Sequence, residues 1–435
     1  MAELERITVN GRVKKVLTAA DLGRLSSRLQ EFVAEGTVAG VVSLVWQAGE
    51  VIQADAYGFQ DLASRTPMSR KSVFQIASQT KPIVSLVALQ LMEEGKLTLD
   101  DAISRWIPEL ARLQVLVDPD GPVSESVAAP REITVEDLLT HRSGLTYGFL
   151  SSTPIAHAVY ESLGTPLETP LTPDEWLAAL GRIPLRYAPG ERFEYGHSTE
   201  VLGLLVSRIE GKSLGQVLQS RVFDRLGMVD TGFFVPPAKL DRLARTYALT
   251  PGGFVDRTVP VKTAPPVFEA GGGGLYSTAD DYLTFARLML GQGELDGERL
   301  VAPDTLRMMT QDRLTPRQHE LPALGRALFA AQGFGLGVSI IQDPERIGPI
   351  GVGPAGCFGW PGAYGTWWQA DPVNELVALF MIQDHISLAP PANDAIAVPA
   401  PSRIAQFEYR ELLYKAVGTL RPGVVGPLDH LVECE

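Results

Sequence analysis

A run of ten residues that is apolar on nearly every side constrains the fold of this chain most strongly. Residues 83–92 read IVSLVALQLM, and Gly95 follows shortly after them. A helix that is apolar all round has no face for water, so it has to be buried. We therefore expect a central helix here, with the remainder of the 435 residues packed around it.

The residues that lead into this helix, 74–82, read FQIASQTKP and contain a Ser-x-x-Lys tetrad. If the helix begins near Ser78, then Ser78 and Lys81 lie on one face, close enough to share a proton. A serine hydroxyl becomes a nucleophile when a base takes its proton, and a lysine in an apolar pocket can supply that base. Free N–H groups of the first turn would stabilise an oxyanion. The ordinary alternative is that Ser78 is only a helix N-cap and Lys81 a solvated side chain.

Composition excludes several classes of function. The net charge of −13 and the lack of a basic run argue against binding to nucleic acid or to an anionic membrane surface, and admit small neutral substrates. Cys357 and Cys434 are the only cysteines, so neither a disulfide framework nor a cysteine-rich metal site is indicated, and nothing prompts a bond between them. The polar start and the lack of a long apolar run predict a soluble, cytoplasmic protein.

The order of the predicted elements favours an α/β (α+β) protein. Strands at both ends of the chain predict one antiparallel sheet flanked by helices, with a mainly helical domain inserted between them. We expect an α/β domain from residues 1–85 and 270–435, a helical domain from residues 86–269, and an active site in the cleft between them. The predicted helices are 19–35, 136–141, 173–183, 199–209, 214–226, 279–290 and 404–417; the predicted strands are 38–46, 51–57, 334–342, 365–369 and 376–383; residues 113–131 are expected to form an inserted loop.

A second candidate site lies at residues 189–198, which read PGERFEYGHS. Turn residues lead into Tyr195 just before a predicted helix, so the phenol can point into a cleft. A phenol near a lysine ammonium can act as the base that activates Ser78, although a packing role is the commoner fate of such a tyrosine. His197 could bind substrate or tune Tyr195, and a solvated or capping role is the ordinary alternative.

A third candidate site lies at residues 356–366, which read GCFGWPGAYGT. Glycines around an aromatic residue allow close backbone approach, so an N–H here could complete an oxyanion hole with that of Ser78; a Gly-rich turn into a core strand is the alternative. Residues 211–215 match Gly-x-Ser-x-Gly, but a predicted helix precedes them, and we expect Ser213 to cap the next helix. Metal-ligand and phosphate-loop motifs are missing, so we expect no metal and no cofactor.

Taken together, these motifs resemble the serine β-lactamase and penicillin-binding-protein superfamily. The resemblance is to the class C β-lactamase-like branch that includes the family VIII carboxylesterases, and it covers roughly residues 20–385. The motifs that carry it are residues 74–82 (FQIASQTKP), 137–145 (DLLTHRSGL), 189–190 (PG) with Tyr195, 270–282 (AGGGGLYSTADDY) and 358–365 (FGWPGAYG).

This resemblance implies that Ser78 is acylated and that Lys81 and Tyr195 share the acid–base work. It also implies that the N–H of Ala363 joins that of Ser78 in the oxyanion hole. Two departures from the β-lactamase pattern are informative. Lys-Thr-Gly is replaced by WPG at residues 360–362, which removes a cation that would hold a substrate carboxylate. Tyr-x-Asn is replaced by YGH at residues 195–197, which removes an amide. Both favour a neutral ester, with substrate contacts expected at Trp360, Gly362, His197 and Tyr147. For Tyr147, a packing role is the ordinary alternative.

The function we expect is therefore that of a serine carboxylesterase acting on small neutral esters. An acyltransferase with the same acyl-enzyme is an alternative, as is an amide hydrolase of the β-lactamase or D-amino-peptidase kind. A binding protein that has kept the fold and lost the chemistry is the alternative outside enzymes. The expected partner is a small-molecule ester, and the oligomeric state stays open.

Overall fold

An eight-stranded antiparallel sheet forms the centre of the fold. The computed structural model describes residues 6–9, 12–165, 167–324, 327–344, 351–388 and 401–418. Cys434 lies outside these described residues. In chain order the strands of the sheet are β1 Gly40–Gln47, β2 Glu50–Asp61, β3 Thr66–Pro67, β4 Gln332–Phe334, β5 Ser339–Ile341, β6 Phe358–Gly359, β7 Trp367–Asp371 and β8 Leu376–Met381.

The sheet is assembled from both ends of the chain. Its strands lie in the order β4-β5-β6-β7-β8-β1-β2-β3, and every neighbouring pair is antiparallel. The junction is the β8–β1 pair, where Val377 lies opposite Trp46 and Met381 lies opposite Val42. This confirms the prediction of one antiparallel sheet built from the two termini.

Twelve α-helices surround the sheet within the described residues. They are α1 Ala19–Ala34, α2 Thr80–Glu93, α3 Val135–Leu139, α4 Pro154–Leu163, α5 Pro173–Leu180, α6 Ser198–Glu210, α7 Leu214–Leu218, α8 Asp224–Leu226, α9 Ala279–Leu290, α10 Pro303–Met309, α11 Pro316–Glu320 and α12 Pro401–Val417. None of them is long and apolar enough to cross a membrane.

Alternation along the strands creates two separate cores. In β1, Val41 and Val45 face one side and pack with α1 and α12, whereas Val42 and Leu44 face the other side. That second core also holds α2 and α9 and continues into α3, α5 and α6. This core extends through both parts of the chain. The proposed domain boundaries at residues 85 and 270 stay a prediction.

Helix α2 fulfils the expectation from the apolar run. Every residue from Thr80 to Leu91 is buried, and the α-helix begins two residues after Ser78. A 3-10 turn, Ala77–Gln79, precedes it.

Three sequence predictions are corrected by the structure. The single strand expected at 334–342 is two strands, because Gly337 has a φ of 97° and allows the chain to turn between β4 and β5. The helix expected at 214–226 is divided into α7 and α8 by a π-helical turn, Gln219–Phe223. The loop expected at 113–131 contains a short antiparallel pair, Gln114–Leu116 with Ser126–Ala128.

Candidate active site

The serine of the tetrad lies on a turn that distant segments hold in place. The strand Phe74–Gln75 pairs with Tyr276–Ser277, and the N–H of Ile76 donates to the carbonyl of Leu275 at 3.0 Å. Ala77 then has a φ of 46°, a left-handed conformation that costs a non-glycine residue roughly 1–2 kcal/mol. This turn leaves Ser78 half-buried while its neighbours on both sides are buried.

The amine of Lys81 has an acceptor for each of its three possible donor hydrogens. Its Nζ donates to Ser78 Oγ at 3.2 Å, to Tyr147 Oη at 3.2 Å and to the carbonyl of Gly272 at 2.7 Å. A lysine ammonium has three donors and no acceptor, so the geometry matches the charged form. The side chain is only 1% exposed, and these three bonds replace the water it has lost.

Tyr195 reaches the same serine from the loop before α6. Its Oη donates to Ser78 Oγ at 2.7 Å, and the Lys81 Nζ lies 4.6 Å from the centre of its ring. Trp360 Nε1 donates to Tyr195 Oη at 3.1 Å. An indole N–H can only donate, so the direction of this bond is certain. The structure thus brings Ser78, Lys81 and Tyr195 together and adds an N–H donor to the phenol.

Glu200, on the first turn of α6, is a part of the site that sequence reasoning missed. Tyr147 Oη donates to its two carboxylate oxygens at 2.9 and 3.0 Å, and the glutamate is 1% exposed. Burial raises the pKa of Glu200, and the nearby charge of Lys81 opposes that shift. An acidic residue among the apolar residues of α6 is the one signal that could have found it. Gly272 has to be a glycine here, because a Cβ would lie 2.2 Å from Glu200 Oε1.

Two residues expected to bind substrate, Tyr147 and His197, are buried. The Tyr147 hydroxyl is engaged by Lys81 and Glu200, and the side chain is 2% exposed. His197 is 1% exposed, with its ring packed between Tyr147 and Trp176. Burial, assisted by the charge of Lys81, lowers the pKa of His197 to about 3, so the ring is neutral. The substrate contacts expected of both residues stay a prediction.

The segment expected to complete an oxyanion hole lies against the turn that carries Ser78. A Cβ on Gly362 would be 2.3 Å from the carbonyl oxygen of Ile76, and Ala363 packs against the cluster that contains Ala77. Among the described residues nothing accepts a hydrogen bond from the N–H of Ala363. An N–H without a partner beside Ser78 is what an oxyanion donor requires.

The Gly-x-Ser-x-Gly match is confirmed to be structural. Ser213 is the N-cap of α7 and accepts from the N–H of Gln216 at 3.3 Å. Among the described residues, the element directly before it is helix α6 and not a strand. Within the described part of the chain, no group of three or more His, Cys, Asp or Glu side chains is arranged to hold a metal ion.

Comparison with known proteins gives the evolutionary context of this site. Protein Rv1367c of Mycobacterium tuberculosis is 43% identical over 396 residues, which is 90% of this chain and 98% of that protein. Esterase EstB of Burkholderia gladioli is 31% identical over 84% of this chain and 91% of its own length. The solved structure of EstCE1, a hydrolase with promiscuous acyltransferase activity, has a TM-score of 0.73 and 25% identity, and covers 91% of this chain and 100% of that chain.

Residues 25–399 match the family model described as Beta-lactamase. The order of the motifs, the antiparallel sheet with its flanking helices, and these relatives agree with one another. The chain therefore belongs to the β-lactamase family and to its superfamily of serine hydrolases and acyltransferases.

Proposed function

We propose that this protein is a carboxylesterase that cleaves small neutral esters through an acyl-enzyme on Ser78. The observation that carries the proposal is the pair of contacts on one hydroxyl, with Tyr195 Oη at 2.7 Å and Lys81 Nζ at 3.2 Å from Ser78 Oγ. A half-buried serine with two such neighbours has what a nucleophile needs, namely a base within reach and a charge that steadies the base.

The geometry divides the acid–base work between the two neighbours. Lys81, with three acceptors, acts as a fixed positive charge that favours a negative phenol oxygen on Tyr195. In the resting site Tyr195 donates to Ser78 Oγ, so its phenol proton first passes to water; the phenolate then takes the proton of Ser78 as Oγ bonds to the ester carbonyl carbon. The N–H groups of Ser78 and Ala363 hold the resulting oxyanion. Tyr195 then gives the proton to the leaving alcohol as the C–O bond breaks. In the second half-reaction water attacks the acyl-enzyme, Tyr195 takes the proton of that water and returns it to Ser78 Oγ, and the carboxylic acid is released.

The surroundings of the serine support a neutral substrate. Trp360 stands where the β-lactamase pattern has the lysine of Lys-Thr-Gly, and its N–H is already bonded to Tyr195. It cannot hold a carboxylate as an ammonium would. An apolar cluster joins Ala77, which precedes the serine, and Ala363 to Leu167, Tyr364, Ile386 and Leu388. A small acyl group without charge fits such walls better than a carboxylate does.

The experiment is hydrolysis of a short-chain p-nitrophenyl ester beside a chromogenic cephalosporin. Wild type, Ser78→Ala and the matched control Ser213→Ala are compared. We expect ester turnover in wild type and in Ser213→Ala, none in Ser78→Ala, and little cephalosporin cleavage. Loss of activity in Ser213→Ala with activity kept in Ser78→Ala would overturn the assignment. Strong cephalosporin cleavage would contradict the role given to Trp360.

Acyl transfer to an alcohol is the second candidate, because only the final nucleophile differs. EstCE1 itself is a hydrolase with promiscuous acyltransferase activity. Adding a short alcohol to the ester assay separates them, since a transferase forms the new ester in preference to the free acid. No new ester product at high alcohol concentration would exclude this candidate.

A further inference from the structure

Side chains of helix α12 contact the segment that contains Ala363. The guanidinium of Arg403 donates to two successive carbonyls: Nη1 to that of Gly362 at 3.3 Å and Nη2 to that of Ala363. One turn later, Gln406 Nε2 donates to the carbonyl of Gly365 at 2.9 Å. Two side chains of one helix therefore hold three carbonyls of this segment.

The first of these bonds acts on the peptide unit that matters for catalysis. The carbonyl of Gly362 and the N–H of Ala363 belong to one planar peptide, in which the oxygen and the hydrogen point in opposite directions. The carbonyl of Gly362 also accepts from the N–H of Gly365 at 3.1 Å, so this turn bond and Arg403 together fix the oxygen side and thereby the direction of the N–H. Hydrogen bonding to a peptide oxygen also polarises the amide, which strengthens its N–H as a donor.

Other contacts hold both ends of this arrangement. The N–H of Gly362 donates to the carbonyl of Thr366 at 2.7 Å, and Thr366 Oγ1 donates to the carbonyl of Ile76 at 3.2 Å. The segment is thereby tied to the turn that carries the nucleophile. On the helix side, Ser402 donates to the carboxylate of Asp384, so the start of α12 is anchored beside the same segment.

We propose that Arg403 is a positioning residue that aims the N–H of Ala363 into the oxyanion hole. This inference rests on the proposed function, because it assigns a cause to the oxyanion donor of that reaction. In this proposal Arg403 acts by orienting the Gly362–Ala363 peptide and not by contact with the substrate. Since a loss of orientation is felt most where negative charge develops, its contribution belongs to the transition state more than to substrate binding.

The test compares Arg403→Met and Arg403→Lys with the control Arg28→Met. Arg28 lies on α1 and bonds to Glu408 on α12 at 2.7 Å, so its loss loosens the same helix without touching residues 362–365. Removal of a whole oxyanion donor costs about 10²- to 10³-fold in kcat. For Arg403→Met we expect roughly a 10- to 100-fold loss in kcat with KM changed less than about threefold. Arg403→Lys, which keeps the charge and can bond to one carbonyl, should recover part of the loss.

A second readout separates positioning from general loosening of the fold. A boronic acid forms a tetrahedral adduct with a catalytic serine and places an oxygen in the oxyanion hole. Arg403→Met should bind it more weakly by about the factor lost in kcat, whereas Arg28→Met should bind it like wild type.

Equal kcat and boronate affinity in Arg403→Met and Arg28→Met would overturn the proposal. A kcat loss in Arg403→Met without weaker boronate binding, or with no recovery in Arg403→Lys, would also overturn it. If wild type shows neither ester turnover nor labelling of Ser78, the proposed function itself fails. That outcome is distinct, because the Arg403 comparison requires an active wild type.

Discussion

Replacement of Trp360 by phenylalanine removes the N–H that donates to Tyr195 Oη. The bond is 3.1 Å long, and both partners are buried, at 3% and 8% exposure, so water cannot take the place of the indole. A hydrogen bond to a group that becomes charged contributes roughly 1.5–3 kcal/mol, which corresponds to roughly a 10- to 150-fold loss in kcat/KM for Trp360→Phe.

The assay is kcat/KM for a p-nitrophenyl ester, measured together with the thermal midpoint. Trp360 also packs edge-on against Phe334, with ring centres 5.1 Å apart, so the substitution loosens an apolar cluster as well. Phe334→Leu is the matched control, since it disturbs the same cluster and leaves the N–H in place. We expect the control to lower the thermal midpoint while keeping kcat/KM within about threefold of wild type. A folded Trp360→Phe variant with kcat/KM equal to that of the control would refute the reasoning.

Three further predictions concern buried charge, close packing and pH. Glu200→Gln keeps an acceptor for the tyrosine but removes the counter-charge of the buried ammonium, and we expect kcat to fall roughly tenfold; an unchanged kcat would contradict this. Gly272→Ala should lower both activity and the thermal midpoint because its Cβ would clash with the glutamate, whereas Gly23→Ala, with open space around it, should stabilise the helix by about 0.5–1 kcal/mol. Bonding to Arg242 lowers the pKa of Asp230 to about 2, so the stabilisation is complete above the unfolded pKa of about 4 and is lost as the pH falls toward 2. Urea unfolding of wild type and Asp230→Asn should therefore differ at pH 7 and converge as the pH falls from about 4 toward 2, and a difference independent of pH would contradict the ion pair.

Local spacing accounts for what could be predicted of this molecule. Ser78 and Lys81 are three residues apart, so the geometry of one helical turn was enough to pair them. The buried helix and the hairpin of β1 and β2 likewise follow from periodicity and turn residues. The antiparallel arrangement of the sheet was predicted from the strands at the two ends of the chain.

What escaped prediction depends on partners far apart in sequence. Glu200 is 53 residues from the tyrosine that it binds, and Arg403 is 41 residues from Gly362. Neither residue stands out from ordinary charged residues until the fold brings its partner near. The burial of His197 likewise depends on Tyr147 and Trp176, against which its ring packs.

Because Ala77 has a left-handed conformation, labelling of the adjacent Ser78 can be used to follow folding. A free chain would rarely adopt that φ at an alanine, and here contacts from Leu275 and Thr366 to Ile76 maintain it. The local conformation at Ser78 therefore forms only after segments about 200 and 290 residues away have docked. Titration with a fluorophosphonate during refolding would count native molecules directly, and the labelled fraction would lag behind the recovery of helical signal.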